Sequence, residues 1–587
     1  MADVREGSTP SSSEVIPLSR WRAVLARARR ARRAEVLLEE PDAARLVPAL
    51  PVQELYYLIK EVGIADAAEL VALASTEQIQ GFLDFDLWAR DRLQSERSDA
   101  WLDALMEAGP IKLAATFKGL DQEIAVRYVE TQLRVYDLSQ EAPPEEPEGH
   151  FYPTPDGAFL LDVLAEGERG KRVERMIDWL YRVDLQYAQK TLLAARWELP
   201  SDLEEWAYRW RSGRMADLGF AEYHEALEVY RWLEPASVQL GEGTTRKTHV
   251  TAAPTTLPLV LAESVGERGL LGQALAAIAD AAELERLQAE LMLLTNRVMS
   301  AEQIEPDDLE ALPGVLRRVV ATLDLGLEFL GRRGPDLVGQ AVAALGSVAL
   351  VRIFRVGFSL TLKLRHAADT LSGRGWVTLV PGRLTLLDTP LREILGALRE
   401  PRPLYSLALE GGAAEATRPF ATLADLARAA RTIEEAAAIG PFLRDGLGVA
   451  PRLLAAEVLV GCRPAREDIT FAVMGATLMA NLLLDRPPAL VPLAPEDIET
   501  LRERVLPDGP PLRPTTRLQV LRAFEERLTE RGLTPPAEWT RWVEGWLEHL
   551  GETLALASAA EIASDPGRGG GLLVRVREAP SDARLPQ

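Results

Sequence analysis

A chain of 587 residues with 47% apolar and 26% charged side chains has the composition of a folded globular protein, not of a disordered one. Its formal net charge of −22 argues against nucleic acid as the main partner, because phosphate binding selects a basic surface. A single cysteine, Cys462, excludes an intrachain disulfide and a cysteine-cluster zinc site.

Residues 1–18 are polar and rich in Ser, Thr and Pro, which predicts a disordered tail. They contain no apolar signal core, and the expected location is cytoplasmic. Seven arginines follow between Arg20 and Arg33, in WRAVLARARRARRAEVLLEE. Such a stretch suits contact with an anionic surface, membrane or nucleic acid, or a solvated helix that packs by Trp21, Val24, Leu25 and Ala28. Glu39, Glu40 and Asp42 come at once after it and favour the solvated reading. All but seven of the 66 basic residues are arginine, so an arginine cluster in this chain is a habit of composition before it is a signal.

Residues 19–140 read as a helical, repeat-like domain. Pro51 suits a helix start, and Val52, Leu55, Tyr56 and Ile59 recur at the spacing of one helix face, with Gly63 as the stop. In ADAAELVALASTEQIQGFLDFDLW, Ala67, Leu70, Val71 and Ala74 repeat that spacing. Ser75 to Gln78 has the form of a capping box. Asp84 and Asp86 are expected to punctuate the start of a further helix at Trp88, and the text stays helical to about Leu138. Helices this short cannot bury an apolar face alone, so neighbours must stack on them.

Residues 141–156 form an acidic, proline-rich linker that begins EAPPEEPEGH, and Asp156-Gly157 predicts a tight turn or hairpin. Residues 157–238 are helical and aromatic-rich; Trp179, Trp197, Trp206, Trp210 and Trp232 suit an aromatic groove for sugars or peptides or, the favoured reading, helical core packing. Residues 239–257 form a second linker. Residues 258–562 form a C-terminal helical domain with a hairpin near 376–387, where Val377, Leu379, Leu384 and Leu386 flank Pro381-Gly382. The uncharged run Ile469–Leu484 is too short for a membrane span and suits a buried helix. Thr534-Pro535 predicts a helix start, and Trp539, Trp542, Trp546 and Leu550 a docking stripe. Residues 563–587 read as a tail. The fold class is therefore mostly α, with stacked short helices and one or two small β-hairpins.

Chemistry is sparse. None of His150, His224, His249, His366 and His549 has zinc-motif spacing. His224 lies among Glu222, Glu225 and Glu228, which reads as a surface helix of mixed charge. Cys462 lies between Gly461 and Arg463 and reads as a small buried residue. There is no GxSxG elbow, phosphate loop or GxGxxG opening a helix. No catalytic or metal residue and no cofactor is assigned. The one candidate face is anionic-ligand binding on the Leu350–Leu371 helix, where Arg352, Arg355, Ser359, Lys363 and His366 share one side.

Three stretches, ELYYLIKEVGIADAAELVALASTEQIQGFLDFDLW, MADLGFAEYHEALEVYRWLEP and VRIFRVGFSLTLKLRHAA, resemble a family of uncharacterised bacterial proteins of the myxobacterial type. That resemblance implies no activity. The helix rhythm of residues 48–86 is also similar to the N-terminal superhelical domain of bacterial magnesium transporters and to flagellar motor switch repeats. In the transporters that domain holds regulatory magnesium through acidic side chains, and no such ligand set matches here position by position. Together these features predict a non-enzymatic cytoplasmic scaffold or adaptor that binds a protein partner through a helical surface. The alternative is a ligand- or ion-sensing protein, or an enzyme, with an anion pocket on the 350–371 helix.

Overall fold

A computed structural model describes residues 32–240, 269–374, 376–378, 384–455, 458–507, 509–510, 512–556 and 571–575. Among the described residues, 23 α-helices stand against four small antiparallel sheets, so the chain is mostly α with small hairpins. Two compact units divide it, Met1–Val356 and Gly357–Gln587. The basic stretch up to Ala31 and the Gly241–Thr256 linker lie outside the described residues.

In the first unit the helix Val52–Val62 buries Leu55, Tyr56 and Ile59 and ends at Gly63, the predicted stop, whose φ of 102° favours glycine. The helix Thr76–Asp86 opens on the predicted capping box. The Ser75 hydroxyl accepts from the Gln78 amide at 3.1 Å, and the Gln78 side chain accepts from the Ser75 amide at 2.8 Å. No helix begins at Trp88, contrary to expectation. Trp88–Ala89 pairs with Arg92–Leu93 across a two-residue turn in which Arg90 has a φ of 59°.

Asp84 and Asp86 consequently lie in the last turn of one helix instead of capping another. Both are buried, and a buried carboxylate needs partners. Asp86 accepts from Lys60 at 2.7 Å, the Trp101 indole at 2.8 Å and the Tyr56 hydroxyl at 3.2 Å. Asp84 takes Arg214 Nε at 2.6 Å and Nη2 at 2.9 Å, while Arg211 Nε donates to the Asp84 carbonyl at 2.8 Å. Burial drives the Asp84 carboxyl up from its ordinary range, and the Arg214 guanidinium opposes that shift.

The turn at Asp156-Gly157 is a hairpin turn, with Gly157 at a φ of 68°. Its strands His150–Pro153 and Phe159–Val163 are joined by a third, Leu133–Asp137, where the sequence predicts helix. Leu133, Val135 and Asp137 point inward and alternate with Arg134 and Tyr136, the period of a strand. The acidic proline-rich stretch is therefore the excursion between two strands of one sheet. Long helices follow. Ala281–Glu302 is tied to the first helices by an amide pair, Gln53 to Asn296, at 3.1 and 3.3 Å. Asp324, on Leu312–Gly331, accepts from the Leu271 amide at 2.6 Å and anchors the start of Leu270–Ala276.

The second unit is built around Phe471–Leu483, a buried helix as its uncharged run predicts. Trp542, Trp546 and Leu550 of Trp539–Leu556 pack inward as the predicted stripe, with Phe442 beside the indoles. That helix begins at Trp539, after Thr534-Pro535. Residues 571–575, expected in a tail, are structural. Leu572, Leu573 and Val574 are buried, and Val574–Arg575 pairs with Cys462–Arg463. The tip of the expected 376–387 hairpin lies outside the described residues. Its flanks are joined by Leu386 N donating to Val377 O at 3.1 Å, without a strand ladder in the described part.

Candidate interaction surface

The helix Leu350–Ser372 exists, and the structure sorts its expected stripe into two environments. Arg352, Lys363 and His366 are exposed. Ser359 is buried, and half-buried Arg355 donates to the carbonyls of Arg231 at 3.0 Å and Trp232 at 3.3 Å. The guanidinium of Arg355 thus tethers the segment before it. His224 is exposed with its ring edge toward Tyr223. Cys462 is buried in a strand, and burial pushes its thiol up, which disfavours the reactive thiolate. Among the described residues no group of three or more His, Cys, Asp or Glu side chains is placed to hold a metal ion. Among them, too, no helix is long and apolar enough to cross a membrane.

A different surface stands out, on the helix Pro200–Asp217. Pro200 sits in its first turn, where a missing amide costs nothing. Leu203, Ala207, Arg211 and Met215 are buried at every fourth position, against the helices Gln122–Gln132 and Thr76–Asp86. Arg214 locks the helix down through Asp84 and, at 2.7 Å, Asp121. Arg127 adds a bridge to Glu204 at 2.9 Å. The helix is therefore a rigid mount.

Beside this row stand Trp206 and Trp210, which are 48% and 52% exposed and one turn apart. Leu199, which precedes the helix, and Gly213 continue the same face. Arg209 reaches over the Trp206 ring at 5.4 Å. Gly213 is the notable companion. A Cβ built there meets nothing within 4 Å, so no packing among the described residues calls for glycine in mid-helix. Trp197, 63% exposed, ends the preceding helix with Arg196 stacked over it at 4.6 Å.

The sequence reading places these tryptophans in the core. Trp179 is half-buried, but Trp197, Trp206, Trp210 and Trp232 are exposed, and Trp206 and Trp210 flank the buried row Leu203, Ala207, Arg211 and Met215. Leu203, Trp206, Ala207 and Trp210 recur at i, i+3, i+4 and i+7, the spacing of one face, so the phase gave no signal of their exposure. Covering the open half of each indole would remove about 100 Å² from water, about 2.5 kcal/mol per ring before ordering costs. Exposed aromatics beside arginine on a rigid helix have the composition of a binding hot spot.

The model of a family of unknown function, DUF6178, matches residues 10–575. The chain belongs to this family. The match takes in both units of the DUF6178 chain and all three stretches that carry the bacterial resemblance. No curated protein and no solved structure matches it. The reading of what this DUF6178 protein does accordingly rests on its own geometry.

Proposed function

We propose that the protein is a scaffold or adaptor that binds a protein partner through the tryptophan-bearing face of Pro200–Asp217. One observation carries the reading: Trp206 and Trp210 lie half-exposed and side by side on a helix firmly anchored along the adjoining row Leu203, Ala207, Arg211 and Met215. Rings held by such a mount lose little freedom when a partner covers them. Its location in the cytoplasm belongs to the same reading.

The test is affinity purification of the tagged protein from its native cell, beside the Trp206→Ala/Trp210→Ala double variant. A partner held by the native chain and lost by the variant, at an unchanged melting temperature, supports the reading. Recovery of the same proteins with both chains, or of none with either, overturns it. The second reading, an anion site on Leu350–Ser372, is favoured only by the exposure of Arg352, Lys363 and His366. Its check is a thermal-shift screen with phosphorylated metabolites, in which Arg352→Ala must abolish any stabilisation.

A further inference from the structure

A cavity of about 650 Å³ opens in the first unit on the side of Pro200–Asp217 turned away from the tryptophans. Arg211 and Met215 form part of its wall, with the 219–223 loop and residues 303–306 beyond. Gly219 fixes that loop. Its φ is 90°, and a Cβ there would stand 2.7 Å from the Leu293 carbonyl oxygen. The volume falls in the ordinary range for small-molecule sites.

Arg211 is the informative group. It is only 8% exposed, and its Nε is spent on the Asp84 carbonyl at 2.8 Å. Its guanidinium lies against the Trp88 ring at 5.3 Å. Among the described residues no carboxylate is within ion-pair distance of it, and its two terminal nitrogens have no hydrogen-bond partner. Those nitrogens are not among the fully buried polar atoms that lack a partner, and Arg211 lines the cavity. A buried guanidinium with a free fork is a site for a carboxylate or another planar anion.

The rest of the lining narrows the class. Arg297 is neutralised by Glu225 at 2.7 Å. Arg90 and Arg211 then face three acids, Asp91, Glu222 and Glu305, one negative charge in excess. Asp84, which Arg214 holds, acts on Arg211 most strongly; Glu305 and Glu222, the latter accepting from the Tyr208 hydroxyl at 2.9 Å, also act on it by charge yet do not pair with it. A polyanion such as a nucleotide would be repelled by those acids. A ligand with a carboxylate for Arg211 and an ammonium for the glutamates satisfies both ends.

We infer that this cavity binds a small zwitterion, a free amino acid or a comparably short amine-bearing carboxylate, with Arg211 holding the carboxylate and Glu305 and Glu222 facing the ammonium. The inference is independent of the partner-binding reading. The test is calorimetric titration of the full chain with each common L-amino acid, up to about 10 mM. Acetate, inorganic phosphate and methylamine are the single-charge controls. At least one amino acid should bind, and its methyl ester and its N-acetyl form should each bind about tenfold more weakly or worse. Arg211→Lys should weaken binding by a similar factor. Should that variant fail to fold, Ala216→Trp, which fills the cavity from an exposed helix position, must do the same. Absence of binding by every amino acid, equal binding of acetate or phosphate, or binding unchanged in the variants would overturn the inference.

Discussion

Asp324 shows what burial does to one carboxyl. It lies inside the first unit, accepts from the Leu271 amide and has no cation beside it in the described residues, so burial pushes it up to about 6. The folded chain thus keeps this proton at pH values where the unfolded chain has lost it. Stability from this group is full below about pH 4, declines as pH rises toward about 6, and above that is lower by about 3 kcal/mol. Asp324→Asn keeps an acceptor for Leu271 and removes the ionisation. Its advantage over the native chain in urea unfolding should grow from pH 4 to pH 6; an equal advantage at both ends would refute the assignment. Residue-scale legibility follows contact range. The Ser75 cap was readable because its partner is three residues away. The role of Asp84 was not, because Arg214 is reached only after the chain has returned across 130 residues.

At the scale of the element, two helical glycines predict opposite outcomes. Gly475 on Phe471–Leu483 faces Trp546, and an added Cβ would come within 2.2 Å of the indole. Gly475→Ala should lower stability by about 1–3 kcal/mol through overpacking. Gly213 faces open space, and Gly213→Ala should raise stability by about 1 kcal/mol through helix propensity alone. Thermal unfolding of the two variants checks the signs, and a loss at Gly213 would show a packing role that the chain itself does not display. Elements with a clear phase, such as Val52–Val62 and Phe471–Leu483, were legible because period and burial agree. Leu133–Asp137 was not, since its five residues follow a helix directly and its partner strand comes 22 positions further on.

At the scale of the molecule, the C-terminal strand decides how far a unit extends. Leu573 donates to the Thr477 hydroxyl at 3.0 Å, and Leu493 donates to the Leu573 carbonyl at 2.8 Å. Removal of residues 571–587 therefore strips apolar cover and backbone partners from the helix at the centre of the second unit. Hydrogen exchange should speed up around Thr477 and Leu493 and stay unchanged in Thr76–Asp86 of the first unit. Unchanged protection at Thr477 would show that the strand is not integral. The sequence of residues 572–575 gave no hint of this, because a two-residue strand has no period to read, and its docking site is made by residues about a hundred positions earlier.

One helix, Pro200–Asp217, presents indoles to solvent on one side and the Arg211 cavity on the other. Arg211 and Trp210 are sequence neighbours on a single stiff backbone, so neither face can be displaced alone. Any free energy by which an occupant of the cavity alters the hold on a partner must be returned in full, with the partner altering the hold on that occupant by the same factor. Thermodynamic reciprocity of this kind would make the helix a two-way reporter, and measuring either affinity in the presence of the other ligand would give the same coupling constant.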